Sequence, residues 1–175
     1  SLTDSASGYG LFSRVETGAV VRNLSVKGDV TPSGTQSQVG GIAGVNAGRI
    51  ESCTFSGIVM GGDYVGGIAG QNEAGGTISD CRTSGAVRGS QFTGGIAGRN
   101  SGTLLRCTNT AAVNTAVSED DMETDLENVE STLYNLLKRE DVTESAVTTD
   151  TGGIAGYSNG ILQSCTNTGA VGYPH

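Results

Sequence analysis

One hexapeptide recurs along the chain and decides most of what it can fold into. Val39-Gly40-Gly41-Ile42-Ala43-Gly44 returns as Val65-Gly66-Gly67-Ile68-Ala69-Gly70, as Thr93-Gly94-Gly95-Ile96-Ala97-Gly98 and as Thr151-Gly152-Gly153-Ile154-Ala155-Gly156. The first two steps are 26 and 28 residues; the third is 58, an ordinary step plus about 31 inserted residues. A looser first copy reads Gly8-Tyr9-Gly10-Leu11-Phe12, which makes five units. Each unit also has a second half. A glycine turn (Gly48, Gly76, Gly102, Gly160) precedes an aliphatic residue (Ile50, Ile78, Leu104, Leu162). Three positions later stands a cysteine (Cys53, Cys81, Cys107, Cys165), and six beyond it a valine (Val59, Val87, Val113, Val171). In the first unit Val20 or Val21, Leu24 and Val30 hold comparable places. A unit this short cannot enclose a core of its own, but stacked units can share one.

Helical repeats would need longer runs of good helix formers than these segments, rich in glycine, threonine and β-branched residues, provide. Short strands fit, each coil pairing in parallel with the next about 4.8 Å away. The expected fold is all-β: a right-handed parallel β-helix, or solenoid, of about five coils, the hand following from the preference of parallel crossovers. In that arrangement Ile42 and its repeats point inward. The position three later varies freely (Val45, Gln71, Arg99, Tyr157) and reads as an exposed column, a candidate ligand or partner surface. Asn46, Asn72 and Asn100, with Ser158 in the last unit, form an inward ladder whose amides can bond one another. The four cysteines form a second column, which reads as buried free thiols acting as small hydrophobes, a disulfide being the alternative.

The insertion differs in texture. Met122, Leu126, Val129, Leu133, Leu136 and Leu137 follow steps of three and four, which predicts an amphipathic α-helix over about 118–141. Ser118 can cap it, with Glu119, Asp120 and Asp121 in its first turn and Lys138 and Arg139 in its last. The stripe is expected to lie on the solenoid, with docking of a partner as the alternative. The acidic start lacks the spacing of a calcium loop. The whole chain then reads as a single solenoid domain, 1–175, carrying this helix and a linker over 142–150.

Chemistry is harder to find. The 10 basic and 18 acidic residues give a net charge of −8, which repels phosphate backbones and argues against nucleic acid. No run of 18 apolar residues spans a membrane in this segment. The cysteines lack the close spacing of a zinc site, and the sole histidine is His175. Catalytic motifs for metallopeptidases, phosphate loops and nucleophile elbows are missing, so neither an enzyme nor a cofactor is expected. Glu51 with Asp80, and Arg99 with Arg106, sit at nearby unit positions and read as isolated surface charges. Tyr9, Tyr64, Tyr157 and Tyr173 are the aromatics expected to be exposed, sparse and scattered.

The stretches VGGIAGVNAGRIESCTFSG (39–57) and TGGIAGYSNGILQSCTNTG (151–169) resemble the GLUG motif, and the likeness extends over about 8–113 and 151–172. That repeat type occurs in secreted and wall-attached bacterial proteins, including noncatalytic regions of IgA-specific metallopeptidases and adhesin-like proteins. The resemblance implies an extracellular, secreted or cell-wall-attached location and carries no catalytic residue onto this chain. The expected role is a noncatalytic module that spaces, adheres or presents a ligand. Its partners would be flanking domains of a larger chain and a host glycan or protein. A carbohydrate-active β-helix is the alternative. Ice binding through Thr108-Asn109-Thr110 and Thr166-Asn167-Thr168 is a third reading, weakened because Thr54-Phe55-Ser56 and Arg82-Thr83-Ser84 break the array.

Overall fold

A computed structural model describes residues 8–32, 36–115 and 149–172. The described residues form an all-β parallel solenoid of about four turns. A partial turn comes first, with β1 (Phe12–Val15), β2 (Val20–Arg22) and β3 (Ser25–Lys27). The next turn holds β4 (Val39–Gly40), β5 (Ala43–Asn46), β6 (Arg49–Glu51) and β7 (Thr54–Met60). The third holds β8 (Asp63–Gly66), β9 (Ala69–Asn72), β10 (Thr77–Ser79) and β11 (Arg82–Arg88). The fourth holds β12 (Gln91–Gly94), β13 (Ala97–Asn100), β14 (Thr103–Leu105), β15 (Thr108–Asn109) and β16 (Ala112–Val113). The last holds β17 (Thr149–Gly152), β18 (Ala155–Ser158), β19 (Ile161–Gln163) and β20 (Thr166–Asn167).

Equivalent strands stack in four parallel sheets, ordered β1-β5-β9-β13-β18, β19-β14-β10-β6-β2, β20-β15-β11-β7-β3 and β17-β12-β8-β4. Among the described residues, the first turn reaches the last of these sheets only through a bridge between Tyr9 and Val39. The register follows the sequence repeat: Ala43 faces Ala69, which faces Ala97 and then Ala155. In the partial turn Val21 takes the place opposite Ile50, while Val20 is exposed. The helix expected over 118–141 lies outside the described residues. β17 begins at Thr149, inside the stretch read as linker, because Thr149 pairs with Gln91.

The interior is built from columns, one residue per turn. Ile42, Ile68 and Ile96 are fully buried, as are Ile50, Ile78 and Leu104 on another wall and Val59, Val87 and Val113 on a third. The glycines of the hexapeptide follow from how narrow the space between these walls is. A Cβ on Gly66 would overlap the Ala69 carbonyl and crowd the Cα of Ala97 in the next turn. One on Gly41 would enter the Phe55 ring, and the same contact recurs between Gly67 and Thr83 and between Gly95 and Asn109. The opposite wall therefore fills the room that each missing side chain leaves.

Corners need backbone in the left-handed region, and non-glycine residues supply it. Asn23, Ser52, Asp80, Arg106 and Ser164 have φ of 49–54° immediately before the cysteine column or its Leu24 equivalent. Gln38, Tyr64, Phe92 and Asp150 have φ of 49–57° immediately before the hexapeptide. Such a conformation costs a side-chain-bearing residue about 1 kcal/mol or more, so the parallel ladders on either side must hold each corner in place.

Candidate functional site

Three kinds of column carry polar or reactive groups. Asn46, Asn72 and Asn100 are fully buried. The Nδ2 of Asn46 donates to Oδ1 of Asn72 (2.8 Å), Asn72 donates to Asn100 (2.9 Å), and Asn100 donates to Oγ of Ser158 (3.1 Å). Asn46 and Asn100 also accept from the backbone N–H two residues on, at Gly48 and Gly102 (both 3.2 Å). The amides thus close the turn and tie neighbouring levels together. A second row, between the threonines considered for an ice-binding array, joins Asn109 to Asn167 (2.8 Å), and Asn109 is buried. Thr110 turns its hydroxyl onto the Thr83 carbonyl (3.0 Å), and Arg82 occupies the same column as Thr108. The face is therefore not a regular hydroxyl plane.

The cysteines are free; Cys53, Cys81 and Cys107 are buried and Cys165 is half-buried. Each Sγ lies near the carbonyl two residues upstream and that of the aliphatic residue one turn earlier. For Cys81 these are Ser79 (3.2 Å) and Ile50 (3.6 Å); for Cys107 they are Leu105 (3.5 Å) and Ile78 (3.4 Å). Burial pushes the Cys107 thiol up to about 12 and that of Cys81 higher still. Such thiols are poor nucleophiles and poor metal ligands. Among the described residues no group of His, Cys, Asp or Glu is placed to hold a metal ion, and no helix is long and apolar enough to cross a membrane.

The expected exposed column needs one correction. Val45 is buried, with 2% of its surface accessible. Arg14 stands beside it in the preceding turn and grips Glu73, beyond Gln71 in the following turn, through two bonds of 2.8 and 3.0 Å. The arginine side chain must span the level of Val45 to do so. Gln71 and Arg99 are half-buried and Tyr157 is exposed.

These last three residues join the corner residues into one continuous edge. Gln38 donates to Gln71 (2.9 Å). The Tyr64 and Phe92 rings stack at 5.0 Å with 6° between planes, and Phe92 meets Tyr157 edge-on at 5.9 Å. The Arg99 guanidinium carbon lies 5.8 Å from the Tyr157 ring centre, a cation–π contact. Arg99 makes no ion pair with a described residue, and its Nε is buried without a hydrogen-bond partner. Tyr64, Phe92 and Tyr157 are therefore gathered, not scattered, whereas Tyr9 stands apart, half-buried, and Tyr173 lies outside the described residues. The missed signal was the position before each Val/Thr-Gly-Gly, where Gln38, Tyr64, Phe92 and Asp150 align. Only two of those four are aromatic, so the column did not look like a repeat.

The carboxylates singled out earlier are not isolated. Asp80 takes two bonds from Arg106 (2.7 and 2.8 Å), which hold its carboxyl below the usual carboxylate range. Glu51 pairs with Arg49 (2.8 Å).

The family model of the GLUG motif matches residues 35–60 and 61–88. The chain carries two GLUG repeats. The matched segments run through the second and third turns, so one GLUG unit corresponds to one turn of the solenoid. The hexapeptide forms the corner that carries Tyr64 and Phe92, and the cysteine half of each GLUG unit forms the opposite wall. Searches of curated proteins and of solved structures found no match.

Proposed function

We propose that this chain is a noncatalytic extracellular repeat module of a secreted or surface-attached bacterial protein, and that the Gln71–Arg99–Tyr157 edge presents its ligand surface. The inserted amphipathic helix over about 118–141 and a fifth coil completed around β1–β3 belong to the same proposal. The observation that carries the reading is the edge itself: Gln38–Gln71, Tyr64–Phe92 and Arg99–Tyr157 occupy successive turns along one side. A guanidinium with no anionic partner among the described residues, set beside aromatic rings on an otherwise acidic chain, suits an acidic group on a host glycan or protein. A noncatalytic role accords with carboxylates already paired to arginines and with thiols whose burial suppresses ionisation.

A glycan and surface-protein binding screen, run with a reducing-sugar assay on every hit, tests this. Binding that falls about tenfold in Arg99→Ala and in Tyr157→Ala, without turnover, is the expected result. Release of reducing ends from any glycan would overturn the noncatalytic reading. Ligand binding indifferent to both substitutions would overturn the surface.

A further inference from the structure

The Gln71–Arg99–Tyr157 edge is a row of unspent donors. Gln71 accepts from Gln38 through its oxygen and keeps its own Nε2 hydrogens to give. Arg99 stands beside Gln71 in the next strand, and Tyr157 beside Arg99 in the one after, about 4.8 Å apart at each step. Neither the terminal nitrogens of Arg99 nor the Tyr157 hydroxyl makes a hydrogen bond with a described residue. The Arg99 Nε is buried with nothing among them to donate to, so part of the guanidinium has left water without recovering a bond. Gln71, Arg99, Tyr64 and Phe92 lie in turns with a described turn on either side, so these donors do not owe their freedom to an uncovered end. The sheet β1-β5-β9-β13-β18 carries two cations, Arg14 and Arg99, and Arg14 is held by Glu16 and Glu73. One uncommitted guanidinium matches one anionic group, whereas a polymer charged at every unit would need a row of cations. Beside it Tyr157 is exposed, and the Tyr64–Phe92 stack adjoins that ring.

We propose that this edge binds a sugar acid, a pyranose carrying a single carboxylate, at the end of a glycan. The carboxylate bridges the terminal nitrogens of Arg99 and the Gln71 amide, and the C–H face of the ring lies on Tyr157. The proposal rests on the edge being the ligand surface. A planar carboxylate takes two parallel bonds from a guanidinium. A sugar acid joins that anion to a rigid ring with an apolar face and a rim of hydroxyls, which an aromatic ring bearing its own hydroxyl can meet at both. An acidic peptide side chain would satisfy Arg99 but offers no such face to the aromatics.

The test titrates the whole chain with methyl glucuronide by ligand-observed NMR, with methyl glucoside, glucose 6-sulfate and N-acetylglutamate as comparisons. The glucuronide is expected to bind about tenfold or more tightly than the neutral glucoside and the glutamate derivative. Arg99→Lys, which keeps the charge and loses the fork, and Tyr157→Ala should each weaken it about tenfold. Glucuronide binding no tighter than that of the glucoside overturns the proposal. If the sulfate or the glutamate derivative binds as tightly and still depends on Arg99 and Tyr157, the sugar acid falls while the edge stands as a ligand surface. If the glucuronide binds with no dependence on either residue, both readings fall. Binding of no probe also overturns the proposal. Should binding then emerge when Glu119, Asp120, Asp121, Glu123 and Asp125 are changed to their amides, the occupant of the edge is the chain's own insertion.

Discussion

Replacing Asn72 with alanine perturbs the centre of the longer amide row. The substitution removes donation to Asn100 (2.9 Å), donation to the Gly76 carbonyl (3.2 Å) and acceptance from Asn46 (2.8 Å). At roughly 1 kcal/mol net per bond, the loss comes to about 3 kcal/mol. The larger penalty for wholly stranded groups does not apply. Asn46 Nδ2 still reaches the Gly48 and Thr77 carbonyls, and Asn100 Oδ1 still accepts from Gly102. Ser158→Ala is the control, since it removes one bond at the exposed end and should cost about 1 kcal/mol or less. Urea unfolding followed by far-ultraviolet circular dichroism measures both, with the slope unchanged if only the row is affected. A cost for Asn72→Ala below about 1 kcal/mol, or no greater than for Ser158→Ala, would refute the claim that the row ties turns together.

Three further outcomes follow from the same geometry. Gly66→Ala should destabilise by about 3 kcal/mol, because its Cβ meets backbone on both sides, whereas Gly75→Ala, with open space around it, should stay within about 0.5 kcal/mol in the same unfolding assay. In native protein at pH 8, Cys165 should alkylate well before Cys81 and Cys107, since a thiol at about 12 is ionised in about one molecule in ten thousand. Arg106→Ala should return the Asp80 carboxyl to its ordinary value near 3.8, read by an NMR titration. Because the folded value is depressed, the pair supports folding fully above that ordinary value and loses its support as pH falls through the folded one. Both groups are exposed, so the neutral-pH melting midpoint should hardly move.

The repeat made the architecture legible because a period of 26–28 residues forces the same contacts at every turn. Ile42, Ile50, Val59 and their copies in the next two turns could be placed in the core from spacing alone. Burial of Val45 was not legible, nor was the reach of neighbouring Arg14 across a full turn to Glu73, a contact 59 residues apart that no local pattern reveals. The Tyr64–Phe92–Tyr157 edge was hidden for two reasons. Its corner column mixes aromatic and polar residues, and the insertion displaces Tyr157 in sequence from the turn it follows in space. The row joining Asn109 to Asn167 was not singled out, because only the threonines flanking each asparagine were read as a candidate surface. Only the register, with Phe55 and Thr83 in the same column, shows it facing inward.

The central claim is that successive GLUG units lie directly over one another and share one narrow interior. Methyl–methyl nuclear Overhauser effects in a protein labelled at isoleucine and leucine test it most directly. Ile50, Ile78 and Leu104 stand opposite one another in adjacent strands, so cross-peaks between Ile50 and Ile78 and between Ile78 and Leu104 are expected. A folded protein lacking both cross-peaks would contradict the account.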